Sequence, residues 1–143
     1  MAPSTAPANT VPVDTSITGV GIARALKQKI PAVRKTIRIT VDNDSDNLLG
    51  KPDGYSSAAV VLDKRVDCGV KGIGASCGAL IEVWPTAAAA TTRLAALQSA
   101  DTKASVTERD YERNNVIVRV TGSLSAAQAL AYRSVLDAQV AAG

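Results

Sequence analysis

Apolar positions first recur at helical spacing in "ITGVGIARALKQKI", where Ile17, Val20, Ala23, Leu26 and Ile30 share one face. Ser16 stands at the capping position and Pro31 ends the run. The period then falls to two. "KTIRITV" sets Ile37, Ile39 and Val41 against Thr36, Arg38 and Thr40, which predicts a strand with one wet face. Two more strands are predicted over "SAAVVLD" (57–63) and "GALIEVW" (78–84), the latter alternating Ala79, Ile81 and Val83 with Leu80, Glu82 and Trp84. From Pro85, "PTAAAATTRLAALQSA" returns to helical period, with Ala87, Ala90, Leu94 and Leu97 along its inner stripe. Residues 101–114 are charged and lack an apolar period, so they predict a surface loop. "NVIVRVTG" supplies a fourth strand with Val116, Val118 and Val120 inward. "SAAQALAYRSVLDAQVAA" closes the pattern as a helix opened by Ser125 and Gln128 in a capping-box relation, with Ala127, Leu130, Ala131, Val135 and Ala138 on one face.

The order α-β-β-β-α-β-α predicts an α+β domain: a four-stranded, mainly antiparallel sheet with the helices packed on one face. Its other face is then partly open and presents Arg38, Glu82, Trp84 and Arg119, where an exposed Trp is a natural contact point. The alternative places Trp84 under the following helix as core. The 143 residues suffice for one domain, taken as residues 16–143, behind an Ala/Pro/Ser/Thr-rich flexible tether over residues 1–15. With 46% hydrophobic but only 3% aromatic residues and no Phe, the core has to be built from Val, Ile, Leu and Ala.

Cys68 and Cys77 flank the Gly-rich "GVKGIGAS", short enough for the two sulfurs to meet in a hairpin connection. With no His in the chain, a zinc site lacks ligands, which leaves a disulfide or two reduced thiols. The disulfide is the favoured reading, and it places the protein outside the reducing cytoplasm, secreted or membrane-tethered. No apolar run is long enough to span a bilayer, and no apolar h-region follows Met1. Membrane attachment is therefore expected only through an anchor or signal ahead of the tether.

The formal charge is +3, and Arg24, Lys27, Lys29, Arg34, Lys35 and Arg38 fall together with no acid among them. No aromatic residue interleaves them to stack on bases, so nucleic acid is not expected as a partner, and a solvated basic face is the simpler reading. The absence of His removes the usual neutral-pH base and any Ser-His-Asp arrangement. Carboxylate pairs drawn from Asp42, Asp44, Asp46, Asp53, Glu82 and Glu108 remain as candidates for catalysis, as does a Lys or Tyr acid/base pair, and nothing in the pattern singles out a pair. "DNDSDNLLGKPDGYSS" spaces Asp42, Asp44, Asp46 and Asp53 as a calcium loop does. However, Asn47 stands where such a loop has Gly, Asp53 where it has Glu, and a strand follows in place of a second helix. Calcium is thus the lesser reading beside Asx-type turns fixed by Gly50, Pro52 and Gly54.

The segments "NLLGKPDGYSSAAVVLDKRVD", "GALIEVWPTAAAATTRLAALQ" and "DYERNNVIVRVTGSLSAAQALAYRSVL" resemble a group of small actinobacterial and phage-borne secreted or lipoprotein-like proteins of unknown function. The likeness runs over residues 46–138 and centres on Leu48, Leu49, Gly50, Pro52 and Tyr55. It implies a domain held outside the membrane and carries no activity, cofactor or catalytic residue. The expectation is an extracytoplasmic interaction module, not an enzyme and without cofactor, that binds a protein or cell-envelope component. Leu48, Leu49, Tyr55, Trp84 and Tyr111 are its candidate contacts. The alternatives are an envelope-acting enzyme using carboxylates, and a binder of anionic polymers or nucleic acid through residues 24–38.

Overall fold

The computed structural model describes residues 13–68, 73–104 and 108–142. In chain order the elements are α1 (Gly19–Lys29), β1 (Val33–Arg38), β2 (Ser57–Asp63), β3 (Gly78–Val83), α2 (Ala87–Ala104), β4 (Glu108–Arg113), β5 (Val116–Thr121) and α3 (Ala126–Gln139). All five strands pair antiparallel in one sheet ordered β1-β2-β3-β5-β4. The α+β class and the antiparallel sheet are as expected, but the described residues form five strands instead of four.

The extra strand is β4, in the stretch expected to be a loop. Its sequence ERDYER has no apolar period, yet its charge alternates. Glu108, Asp110 and Glu112 project to one face, opposite Thr121, Arg119 and Ile117, while Arg109, Tyr111 and Arg113 project to the other, opposite Val120, Val118 and Val116. An edge strand tolerates such a sequence because one side of its ladder is unpaired and its side chains are half-buried. The helix before it is longer than expected and runs on to Ala104.

The expectation that the helices pack on one face is also corrected. β2, β3 and β5 are apolar on both faces, so each face needs a covering layer. On one face α1 and α3 pack Ile22, Leu26, Tyr132 and Leu136 against Ala59, Val61, Ile81, Val118 and Val120. On the other, Val60, Leu80, Trp84 and Ile117 are covered by Ala90 of α2, by Tyr55 and Ile39, and by Ala75 and Cys77. The sheet face expected to lie open is therefore closed.

Three local expectations shift. Thr18, not Ser16, caps α1 by accepting from Gly21 N at 3.0 Å. The helix starts there because Gly19 lies against the backbone of β2, where a Cβ would come within 2.6 Å of the Ala58 carbonyl carbon. β1 begins and ends earlier than the alternation suggested, so Val41 is exposed while Val33 is buried. In α3 the capping box of Ser125 and Gln128 forms, but the buried stripe is Ala129, Tyr132, Val135 and Leu136. Ala127, Leu130, Ala131 and Ala138 point outward. Tyr132 sets that phase, since its hydroxyl donates to the buried Asp63 at 2.7 Å. The tether lies outside the described residues up to position 12; its last described residues form a turn in which Asp14 accepts from the Ser16 amide and hydroxyl.

Candidate functional site

The segment between β1 and β2 folds around Asp44. Its Oδ2 accepts from the amides of Leu48 and Leu49, each at 2.8 Å, and its Oδ1 accepts from the Asp46 amide at 3.2 Å and from the Tyr55 hydroxyl. Asn47 takes a left-handed conformation (φ 55°), which Asn accommodates more readily than most residues. Gly54 closes the turn so tightly that a Cβ there would overlap the Leu48 carbonyl oxygen. Burial by itself would raise the Asp44 carboxyl, but the Tyr55 hydroxyl and the three amides outweigh it and hold it below the usual carboxylate range. Burial, together with Asp44, pushes the Tyr55 hydroxyl up, so this Tyr remains a donor.

Behind the turn lies an ion network. Glu82, on β3, is fully buried. Its Oε1 accepts from Trp84 Nε1 at 3.0 Å and Arg93 Nε at 3.1 Å; its Oε2 accepts from Arg93 Nη2 at 3.0 Å and Arg119 Nη1 at 3.1 Å. Asp46 Oδ2 caps the same two guanidinium nitrogens at 3.3 and 3.2 Å. Arg119 then forks onto Glu108 at 3.0 and 2.8 Å. A buried carboxylate is tolerated when its lone pairs are filled in this manner. Burial alone would lower the Arg119 guanidinium, but Glu108, Glu82 and Asp46 more than offset it. Burial likewise pushes the Glu108 carboxyl up, and Arg119 pulls it back below its ordinary value.

This network anchors the floor of a cleft. Between α2 and the 48–54 turn lies a volume of ≈ 600 Å³ over Trp84, walled mainly by Leu48, Pro52, Pro85, Ala89 and Arg93. The size falls within the roughly 300–1,000 Å³ of small-ligand pockets. Trp84 is fixed from three sides. Its ring meets Tyr55 edge-on at 5.7 Å, its indole N–H is held by Glu82, and its backbone exchanges hydrogen bonds with Asn115 through Trp84 N to Asn115 O (2.8 Å) and Asn115 Nδ2 to Trp84 O (2.7 Å). Apart from Arg93, Asp53 and two threonines, the lining is apolar or carries no polar side chain except the Trp84 indole.

Of the contact residues expected from sequence, Trp84 and Leu48 line the cleft, while Leu49 is half-buried against the same apolar cluster and borders a separate hollow with Thr18 and Arg38. Tyr55 is 1% and Trp84 4% exposed, so neither is the free surface aromatic that an open sheet face would have offered. Tyr111 lies on the other face, half-buried against the α1/α3 layer with the Arg133 guanidinium 6.0 Å from its ring centroid. The four aspartates of the calcium reading do not converge. Asp44 is filled by amides and Tyr55, Asp46 by arginines, and Asp42 and Asp53 are exposed. Among the described residues no cluster of three or more His, Cys, Asp or Glu is arranged to hold a metal ion.

Sequence reasoning missed the joining of Arg93 and Arg119 through Glu82. The available signal was a lone acid in "GALIEVW" and a lone Arg in "VIVRVTG", charges on strands otherwise apolar on both faces. Cys68 and Cys77 form a disulfide across the β2–β3 connection. Such a bond belongs to a non-reducing setting, and among the described residues no helix is long and apolar enough to cross a membrane.

Fold and site together define a disulfide-closed antiparallel α+β domain with an apolar cleft built onto one face of its sheet. Comparison with protein-family models, with curated proteins and with solved structures returns no match.

Proposed function

We propose that the protein is an extracytoplasmic interaction module, secreted or membrane-tethered, that binds an uncharged apolar segment of a partner protein or cell-envelope component in the cleft over Trp84. It acts as a binder without catalytic activity or cofactor. The observation that carries this reading is the cleft: a preformed apolar volume whose aromatic floor is held rigid by Glu82 and Asn115. Proline and aromatic walls suit an extended, low-entropy peptide. Arg93 Nε and Nη2 are engaged by Glu82 and Asp46, which leaves Nη1 as a donor for a carbonyl. The lining holds one carboxylate and one guanidinium, Asp53 and Arg93, and is otherwise uncharged, which suits an uncharged occupant. Against a carboxylate enzyme, Glu82, Asp44, Asp46 and Glu108 are all held in ion pairs or by amides.

The test is selection from a displayed random-peptide library on the immobilised full chain, with the Ala89→Trp variant as counter-selection because its indole fills the cleft. Enriched sequences should be apolar and uncharged at their centre and should shift the emission of Trp84, the sole tryptophan. Failure to enrich any sequence over the counter-selection, or enrichment of peptides that leave Trp84 emission unmoved, defeats the proposal.

A further inference from the structure

Among the described residues the cations other than Lys51 divide into two populations. Every described arginine from position 65 onward has a partner: Arg65 with Asp63, Arg93 and Arg119 in the buried network, Arg113 and Arg133 with Asp137, and Arg109 with the Leu124 carbonyl. Arg24, Lys27, Lys29, Arg34, Lys35, Arg38 and Lys64 have none, and all seven are exposed. They also lie together. Arg24, Lys27 and Lys29 are on α1, which packs over β1 and β2; Arg34, Lys35 and Arg38 run along the edge strand β1; and the Lys64 amide bonds the Ala32 carbonyl at the entrance to β1.

Lys27 and Lys29 sit in the last turn of α1, where they offset its dipole. No such role accounts for the other five. The seven side chains converge on no pocket either: Lys29 borders one hollow with Ile30 and Ala131, and Arg38 another with Thr18 and Leu49. The arrangement is thus two rows of charge on a rim, suited to a plane of anions more than to one discrete anion. No aromatic residue lies between positions 19 and 41 to stack on a base. Val41 stands 72% exposed beyond the end of β1, an apolar tip beside the charge.

We infer that the rim formed by α1 and the β1 edge is a docking surface for the anionic phosphodiester headgroups of a lipid bilayer. The charges lie on α1 and along the free β1 edge, Arg38 on the α1 side of the sheet and Lys35 on the other, whereas the cleft lies between α2 and the 48–54 turn. None of the seven charged residues lines the cleft, so the inference stands independently of what the cleft binds.

The experiment is co-sedimentation of the full chain with vesicles of phosphatidylcholine alone and of phosphatidylcholine mixed with phosphatidylglycerol. Binding is expected only to the anionic vesicles. It should weaken steeply as salt rises from about 0.1 M to about 1 M, where the Debye length shrinks from about 10 Å to about 3 Å. Each neutralised rim charge should lower the partition constant about fivefold, hence roughly 25-fold for Lys35→Gln with Arg38→Gln and again for Arg24→Gln with Lys27→Gln. These pairs lie on different elements, so a folding defect in one leaves the other as a test. Arg133→Gln, exposed and away from the rim, should change binding little. Equal binding to neutral vesicles, indifference to both pairs, or an equal loss with Arg133→Gln would overturn the inference. So would tighter binding to duplex DNA or linear polyphosphate than to vesicles at the same phosphate concentration, since the rim would then serve a polymer.

Discussion

Replacing Glu82 with Gln keeps the side chain's volume and removes the charge on which the network is centred. In the native chain Glu82 is fully buried and both of its oxygens are occupied, by Trp84, Arg93 and Arg119. After the substitution one amide oxygen still accepts, but an NH₂ group faces guanidinium donors, and two arginines with side chains only 18% and 13% exposed retain Asp46 and Glu108 alone. Breaking a buried pair by removing one partner costs about 3–5 kcal/mol. Out of a typical total of about 5–15 kcal/mol, that is a large fraction and corresponds to a fall in Tm on the order of 10 °C. Asp46→Asn serves as the internal comparison. Its side chain is 33% exposed and caps the same two nitrogens from the solvent side, so its loss should cost no more than about 1 kcal/mol. Urea unfolding followed by Trp84 emission and by far-ultraviolet circular dichroism reads both, and the Glu82→Gln emission should also report a freed indole N–H. A cost below about 1 kcal/mol for Glu82→Gln, or an equal cost for Asp46→Asn, would refute the view that the buried carboxylate anchors the cleft floor.

Two further outcomes can be measured on the same footing. The folded-state pKa of Asp44 lies below its unfolded value of about 3.9, so its contribution is fully present above that value and is lost as pH falls through the folded pKa. Stability should be level above about pH 5 and decline below about pH 4. Asp44→Asn should flatten that acid limb in thermal scans at stepped pH; an unchanged limb would mean that other carboxylates carry it. Removing the Cys68–Cys77 bond with paired Ser substitutions should cost about 2–3 kcal/mol by loop entropy, and the wild type should unfold earlier when reduced. A reduced wild type as stable as the oxidised form would assign the bond no stabilising role.

Strands β2, β3 and β5 and the cysteine-closed connection were legible because short apolar runs bounded by turn residues are local signals. β4 was not, because its alternation is in charge and becomes meaningful only beside Arg119 and Thr121. Helix α3 has Ala or another apolar residue at nearly every turn position, so several inner stripes were equally good by periodicity. The choice was made by a contact 69 residues away, between Tyr132 and Asp63. Similarly, "DNDSDN" has the spacing of metal ligands, but ligand spacing does not reveal whether carboxylates will point together. Asp44 turns inward to its own backbone and Asp46 across to α2 and β5. Part of the site was readable in the prominence of Trp84 and the 48–55 turn, while the arginines that position them were not.

The composition of α2 bears on why the cleft persists. Apolar surface left facing water in a cleft forgoes the stabilisation that burying it would bring. The cleft-facing positions of α2 are Ala89, Thr92, Arg93 and Ala96, three of them small, so the helix leaves space that larger residues would fill. The helix is nonetheless held, through Ala90 against the sheet and through Arg93 to Glu82. The 48–54 turn is held by Asp44 to Tyr55 and by Asp46, which ties it to Arg93 of α2 and to Arg119. Both walls are thus pinned by polar contacts behind the cleft while the space between them is left unfilled. Filling mutations are among the easiest ways for a sequence to gain stability. A wall of small residues beside rigid supports is therefore what a cleft kept for an occupant requires, and the proposed binding role rests on that arrangement more than on any single residue in it.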